Sequence, residues 1–328
     1  MTEAPEALHE AIYREATRGL LVSEGMQKSL PPWMFYDERG SALFEQITAL
    51  PEYYLTRAER SIFEQFHAEI LAFPRKPLTV VELGAGTASK TGILLSAAAA
   101  QQPDLLYQPV DVSESALSEA DAALMTAIPG LRIQPQVANY VTEPFKIERP
   151  AGCSILALYI GSSIGNFSPA EGTTILRKLR KQLKQTSDAL LLGVDLAPCC
   201  SKSIDTLLAA YDDEAGVTAE FNRNILGRLN RELGANFDPA TFAHRARWNA
   251  AESRIEMHLE SLADQSILLN GTTGQHIHLS PGETIHTENS YKFTERSLRP
   301  LLAGAGFGSP HLFNDPEHRF AVAMAHPA

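Results

Sequence analysis

The sequence predicts an α/β protein: a mostly parallel sheet wound with helices, plus a second α+β domain formed by the N-terminus and an insertion. Three observations carry this. Four strongly apolar runs, Leu78 to Leu83, Leu105 to Val110, Ile155 to Ile160 and Ala189 to Asp195, alternate with helical stretches, as βαβ units require. Their apolar residues are nearly continuous rather than alternating, which suits strands covered on both faces. The alternation stops after Asp195, and a closing helix and strand appear only beyond Glu295. At roughly 150 residues per domain, a chain of 328 residues has room for two. The expected division is 61–196 with 286–328 for the sheet domain, and 1–60 with 197–285 for the second.

The elements follow in order. Residues 1–30 read as a polar, amphipathic helix broken by Pro31 and Pro32, since proline removes a donor and blocks the turn before it. A helix is expected from Ser41 to about Ile47. The turn at residues 50–54 leads to a long helix from about Thr56 to Leu71, where Thr56 and Glu59 have the spacing of a capping box. Gly84-Ala85-Gly86-Thr87 joins the first strand to a helix through Leu94 and Leu95. The second strand ends in Asp111, and Ser113 to Leu117 opens the next helix. Val137 belongs to a weaker strand. Residues 205–234 read as helix. Arg254 to Leu259 alternates polar and apolar, as a half-buried antiparallel strand does, and Ser266 to Leu269 could pair with it. Glu295 to Ala305 is the closing helix and Phe320 to Ala325 the last strand.

Composition narrows the function. Lys plus Arg total 28 against 39 Asp plus Glu, a net charge of −11. Such a surface repels phosphate backbones and anionic lipid heads, so neither nucleic acid nor a membrane is expected as a partner. No stretch of about 18 apolar residues occurs, and the first 20 residues, with Glu3, Glu6, Glu10 and Glu15, lack the apolar segment of a secretion signal. Three cysteines form no C-x-x-C pair, so no metal site of that spacing is expected. A cytoplasmic protein follows.

Glu82-Leu83-Gly84-Ala85-Gly86 lies directly after a strand and before a helix. Glycines there permit a tight turn and a close approach of ligand to backbone. Ser89 stands where a dinucleotide fingerprint has its third glycine, which counts against NAD, and no phosphate-binding G-K-[ST] follows. Asp111, ending the second strand, can accept hydrogen bonds from both hydroxyls of a ribose, or cap a helix. A glycine loop, a strand-end acid and no pyrophosphate motif together point to S-adenosylmethionine (SAM), which carries ribose and adenine but no phosphate.

From about Lys28 to Ala325 the chain resembles the histidine-specific Nα-methyltransferases of ergothioneine biosynthesis. The resemblance is carried by Phe35-Tyr36-Asp37-Glu38-Arg39-Gly40-Ser41, Leu50-Pro51-Glu52-Tyr53-Tyr54, Val81 to Thr87 with Lys90, Gly161-Ser162-Ser163-Ile164-Gly165-Asn166, Ala210-Tyr211-Asp212-Asp213, Gly216 to Ala219, Phe221 to Asn224, Arg254-Ile255-Glu256-Met257 and Thr287-Glu288-Asn289-Ser290. It implies a Rossmann-like SAM-dependent methyltransferase sheet with a separate substrate domain. Gly84, Gly86, Lys90 and Asp111 would contact SAM. The family's acid–aromatic pair on the adenine side falls on Asn139 and Tyr140, and the amide of Asn139 either bonds adenine or fixes its own turn. Asn166 and Tyr211 would hold the carboxylate of L-histidine. Glu288, Ser290 and Tyr53 would bond the imidazole, and Met257 would line the pocket. Glu288 and Ser290 are two apart on an expected strand, so they share one face. Tyr36 and Phe44 would sit near the amine, with Tyr36 aiding its loss of a proton. The implied reaction is SAM-dependent methylation of histidine, in three steps, to hercynine, by a monomer whose partner is the small zwitterion. Two other readings stay open: a sister N-methyltransferase acting on another amino acid or a tryptophan derivative, and a SAM-binding protein without catalysis.

Overall fold

A computed structural model describes residues 3–270 and 274–328; the first two residues of the expected N-terminal helix, and 271–273 in the expected insertion, lie outside the described residues. The chain divides into two compact units, Met1–Tyr53 with Ile204–Ser290 and Tyr54–Ser203 with Tyr291–Ala328. The chain therefore passes from one unit to the other after Tyr53, Ser203 and Ser290, not after 60, 196 and 285. A break after residue 60 would cut the helix Tyr54–Ala72, and one after 285 would cut the strand Thr284–Tyr291.

The larger unit is built on the sheet His311–Asn314, Phe320–Ala325, Ala189–Asp195, Ser154–Tyr159, Leu78–Leu83, Leu106–Asp111, Arg132–Ile133, with Gln136–Val137 also pairing to Leu106–Asp111. The strands from Ala189–Asp195 across to Arg132–Ile133 are parallel, in register Leu156↔Ala189, Val80↔Leu156 and Val80↔Tyr107. Phe320–Ala325 runs antiparallel to both its neighbours. Leu78–Leu83, Ser154–Tyr159, Ala189–Asp195 and Phe320–Ala325 are buried along their whole length, which is why their sequences do not alternate. Fully burying each Val, Leu or Ile side chain contributes roughly 1.5–3 kcal/mol. From Leu78–Leu83 the chain builds outward on one side and then returns to the other, so the strand order reverses between Leu78–Leu83 and Ser154–Tyr159. Ligands of such sheets bind at the carboxyl ends of the strands where this reversal occurs. This is the Rossmann-like arrangement that the sequence predicts.

The smaller unit holds the helices Glu3–Leu20, Glu38–Ala49, Ile204–Tyr211 and Val217–Leu233 and a sheet in the order Lys28–Ser29, Thr284–Tyr291, Arg254–Ser261, Phe242–Asn249. Three expectations are corrected here. The N-terminal helix stops at Leu20, and Lys28–Ser29 pairs with Ile285 and His286. The 205–234 stretch is two helices, because the Asp213 carboxylate caps the second through Val217 N (2.9 Å) and Thr218 N (2.7 Å). Arg254–Ser261 pairs with Phe242–Asn249, whereas Gln265–Asn270 folds back on Gln275–Leu279. Phe242–Asn249 escapes sequence patterning because a buried histidine stands at one of its inward positions. Burial depresses the His244 pKa, and its neutral ring is satisfied on both sides, by Asn222 Nδ2 at 2.8 Å and Tyr211 O at 2.7 Å.

Candidate active site

In the larger unit, Gly84 and Gly86 leave the first strand with φ of +68° and +51°, a region that L side chains avoid. A Cβ on Gly86 would meet nothing within 4 Å, while one on Gly84 would stand 3.6 Å from the Tyr140 hydroxyl. The loop is thus open on one side and walled by an aromatic on the other. Asp111 straps it down: Gly86 N donates to Oδ2 and Ser113 N to Oδ1, each at 2.9 Å. Burial raises the Asp111 pKa, opposed by those two N–H groups. A carboxylate on the loop's own N–H repels phosphate, yet each of its oxygens keeps a lone pair for a hydroxyl. These residues therefore fit SAM. Tyr140 stacks edge-on against Tyr159 (5.6 Å), and burial pushes its hydroxyl up to about 12, so it remains a neutral donor. Asn139 Oδ1 accepts from Val141 N at 3.1 Å, closing its own turn.

Lys90 forms an ion pair with Glu59. Both carboxylate oxygens of Glu59 also accept from Gly161 N, at 2.9 and 3.0 Å. Glu59 is fully buried, so the expected capping box is absent: the helix begins at Tyr54 and Glu59 is turned inward. It ties the start of the helix Thr91–Ala99 to the loop after Ser154–Tyr159. That loop continues through Ser162, with φ +59°, into the short 3-10 helix Ser163–Asn166. Gly165 packs under Tyr291, whose carbonyl would lie 2.9 Å from a Cβ there. Asn166 ends the turn half-buried. Sequence reading missed the inward role of Glu59. The signal was Gly193, a glycine inside an otherwise continuous apolar strand, which marks a close approach.

In the smaller unit, Glu288 and Ser290 lie on Thr284–Tyr291 and are 7% and 3% exposed. Thr287 faces the other way, donating to Asn222 Oδ1 (2.8 Å) and Met257 O (3.0 Å), so the two-residue period places Glu288 and Ser290 on one face. The Tyr211 and Ser290 hydroxyls are 2.7 Å apart. The ring of Tyr53 meets that of Tyr211 edge-on at 6.2 Å, and Phe44 meets Tyr53 at 6.3 Å. Tyr36 packs on Phe44 (5.7 Å) and on Phe221 (5.9 Å). Tyr36, Phe44, Tyr53, Tyr211 and Ser290 thus form one connected set. Met257 is buried, with its carbonyl held by Thr287. Phe221, stacked on Phe35 at 4.5 Å, supports the aromatic group; the sequence marked its segment but gave it no role in the site.

A model of the family described as histidine-specific, SAM-dependent methyltransferase matches residues 12–327. The chain belongs to this family. Among similar proteins, the histidine N-alpha-methyltransferase of Mycolicibacterium smegmatis is 40% identical over 98% of this chain and 97% of that protein. The histidine N-alpha-methyltransferase of Mycobacterium tuberculosis is 39% identical, covering 98% and 96%. Ergothioneine biosynthesis protein 1 of Schizosaccharomyces pombe is 28% identical, covering 85% of this chain and 36% of that protein. The cofactor of this family is SAM, in keeping with Ser89 standing where a dinucleotide fingerprint has its third glycine. Among the described residues of this methyltransferase, no group of three or more His, Cys, Asp or Glu could hold a metal ion. No described helix is long and apolar enough to cross a membrane.

Proposed function

We propose that this methyltransferase acts on the α-amine of L-histidine, in up to three successive transfers to hercynine, the opening step of ergothioneine biosynthesis. The observation that carries the reading is the paired Glu288 and Ser290 on one buried strand face, with Tyr211 bonded to Ser290 and Tyr53 beside it. An imidazole has two ring nitrogens, at least one carrying a proton. Glu288 accepts from a ring N–H, and Ser290 and Tyr53 bond the ring directly or through water. Asn166 and Tyr211 donate to the carboxylate. Met257 lines the ring pocket. The aromatic faces of Tyr36 and Phe44 suit a growing ammonium, by roughly 0.5–2 kcal/mol of cation–π attraction.

Gly84, Gly86, Lys90, Asp111, Asn139 and Tyr140 are assigned to SAM, with Asp111 accepting from the ribose hydroxyls. SAM supplies a methyl group on a sulfonium whose departing thioether is neutral, so strong acid catalysis is unnecessary. What the protein provides is alignment and exclusion of water, and Tyr36 aids passage of the amine proton to water. We assign the enzyme to the cytoplasm, acting as a monomer; its three free cysteines suit a reducing compartment.

The test is to incubate the protein with SAM and each of the twenty amino acids, and to read mass gains of one, two and three methyl groups. Histidine alone should be methylated, on the α-nitrogen. Methylation of another amino acid or of a tryptophan derivative, or SAM binding without transfer, would overturn the reading.

A further inference from the structure

The carboxylate of Asp195 ends the strand Ala189–Asp195 and is fully buried. It accepts from the Tyr54 hydroxyl at 2.8 Å, from Lys202 Nζ at 2.7 Å and pairs with Lys292 Nζ at 2.8 Å. Burial alone would raise its pKa, but Lys292 and Lys202 outweigh it and hold the carboxyl below the ordinary range. Both ammonium groups are fully buried as well. Lys202 is further tied to Arg319 O at 2.9 Å, and both Lys202 and Arg319 lie over the Tyr54 ring. One buried carboxylate against two buried ammonium groups is an expensive arrangement, and apolar residues of similar volume would often serve stability as well or better.

The positions of the three ligands in the chain suggest what this cost serves. The chain passes between units after Tyr53, Ser203 and Ser290. Tyr54 is the first residue after one crossing, Lys202 the last but one before the next, and Lys292 the second after the third. Each leads to one member of the aromatic and hydroxyl set. Tyr53 precedes Tyr54 directly. The helix Ile204–Tyr211, beginning two residues after Lys202, ends in Tyr211. Ser290 is two residues before Lys292. Those three residues are the ones that touch one another, Tyr53 on Tyr211 and Tyr211 on Ser290.

We propose that Asp195 is a positioning residue, a single anchor that holds all three crossings and thereby sets the mutual placement of Tyr53, Tyr211 and Ser290 for histidine. The proposal rests on the assignment of these three residues to histidine. SAM would contact residues of other segments, so the anchor affects one substrate more than the other.

Tyr54→Phe is the mildest probe, since it removes one hydroxyl and keeps the ring and both charges. It should stay folded and raise KM for histidine about tenfold, the size of one hydrogen bond to a charged group, with KM for SAM and kcat changed less than about twofold. Asp195→Asn should do the same more strongly. Amide hydrogen exchange, which needs no substrate, should accelerate at 50–55, 201–206 and 288–293 together in both variants. Exchange that rises only around the substituted residue, or KM values for histidine and SAM that rise equally, would overturn the anchor. Coupled exchange in a protein that never methylates histidine would keep the anchor and retire the histidine reading instead.

Discussion

The carboxylate of Glu59 lies where a side chain on Gly193 would stand: a Cβ on Gly193 would be 2.0 Å from Oε1 of Glu59. The missing side chain is what lets a fully buried carboxylate reach Gly161 N and Lys90 across the strand ends. Gly193→Ala must therefore push Glu59 off both partners or distort the strand. Stripping a buried charge of its partner costs about 3–5 kcal/mol, and a loss of that size is expected for Gly193→Ala in urea unfolding. Affinity for SAM should fall as well, through Lys90. Glu59→Ala also destabilises, but it empties the space, so the double variant should cost clearly less than the sum of the singles. A Gly193→Ala protein as stable as the parent would contradict the packing.

Glu288 and Ser290 should be separable from general pocket lining. A hydrogen bond to a charged group is worth about 1.5–3 kcal/mol, or roughly ten- to 150-fold in binding. Glu288→Ala should raise KM for histidine within that range. Ser290→Ala, which removes a neutral partner also bonded to Tyr211, should cost about tenfold or less. Neither variant should gain activity on a tryptophan-type substrate. Undiminished use of histidine by Glu288→Ala, with the fold verified by melting, would sink the imidazole assignment.

Tyr36 can be probed at its hydroxyl while its ring stays in place. Its ring contacts to Phe44 and Phe221 are retained in Tyr36→Phe, so only the hydroxyl is removed. If that hydroxyl helps the amine lose its proton, each methylation step should slow by about a hundredfold, the lower end for proton transfer by a placed side chain, with little change in the melting temperature. Single-turnover rates for all three steps decide it. Unchanged rates at every step would reduce Tyr36 to a wall of the pocket.

The parts of this protein that could be read from sequence are those where one local pattern has one physical cause. Leu78–Leu83 and Ala189–Asp195 are buried on both faces, and their continuous apolar residues state it directly. The glycine loop and Asp111 announce themselves because a tight turn with positive φ leaves little choice of residue. Phe242–Asn249 was silent because His244 occupies an inward position, and its burial depends on Asn222 and on the carbonyl of Tyr211, remote in sequence. Glu59 was misread for a related reason. Thr56 and Glu59 have the spacing of a local cap, but the partners that win, Lys90 and Gly161, are 31 and 102 residues away. The same holds for Asp195, whose ligands come from three separate segments. The crossings were misplaced by a few residues because no composition change marks Tyr53, Ser203 or Ser290.

Glu82, at the end of the first strand, should make stability depend on pH. It is fully buried, accepting from Thr91 Oγ1 at 2.8 Å and from the Tyr107 hydroxyl. Burial outweighs these bonds and raises its pKa from 4.5 to about 7. A folded-state pKa above the unfolded one means that the native protein keeps a proton the unfolded chain has lost. The resulting stabilisation is complete below pH 4.5 and is lost as pH rises through about 7. At 1.36 kcal/mol per unit, the span corresponds to about 3 kcal/mol. Glu82→Gln preserves shape and does not titrate. All other titrations being shared, the stability of Glu82→Gln relative to the parent should rise by about 3 kcal/mol between pH 4.5 and pH 8. Urea unfolding of both proteins at the two pH values measures this directly. An equal gap at both would show that the Glu82 pKa is the same in the native and unfolded protein, the donors from Thr91 and Tyr107 balancing its burial.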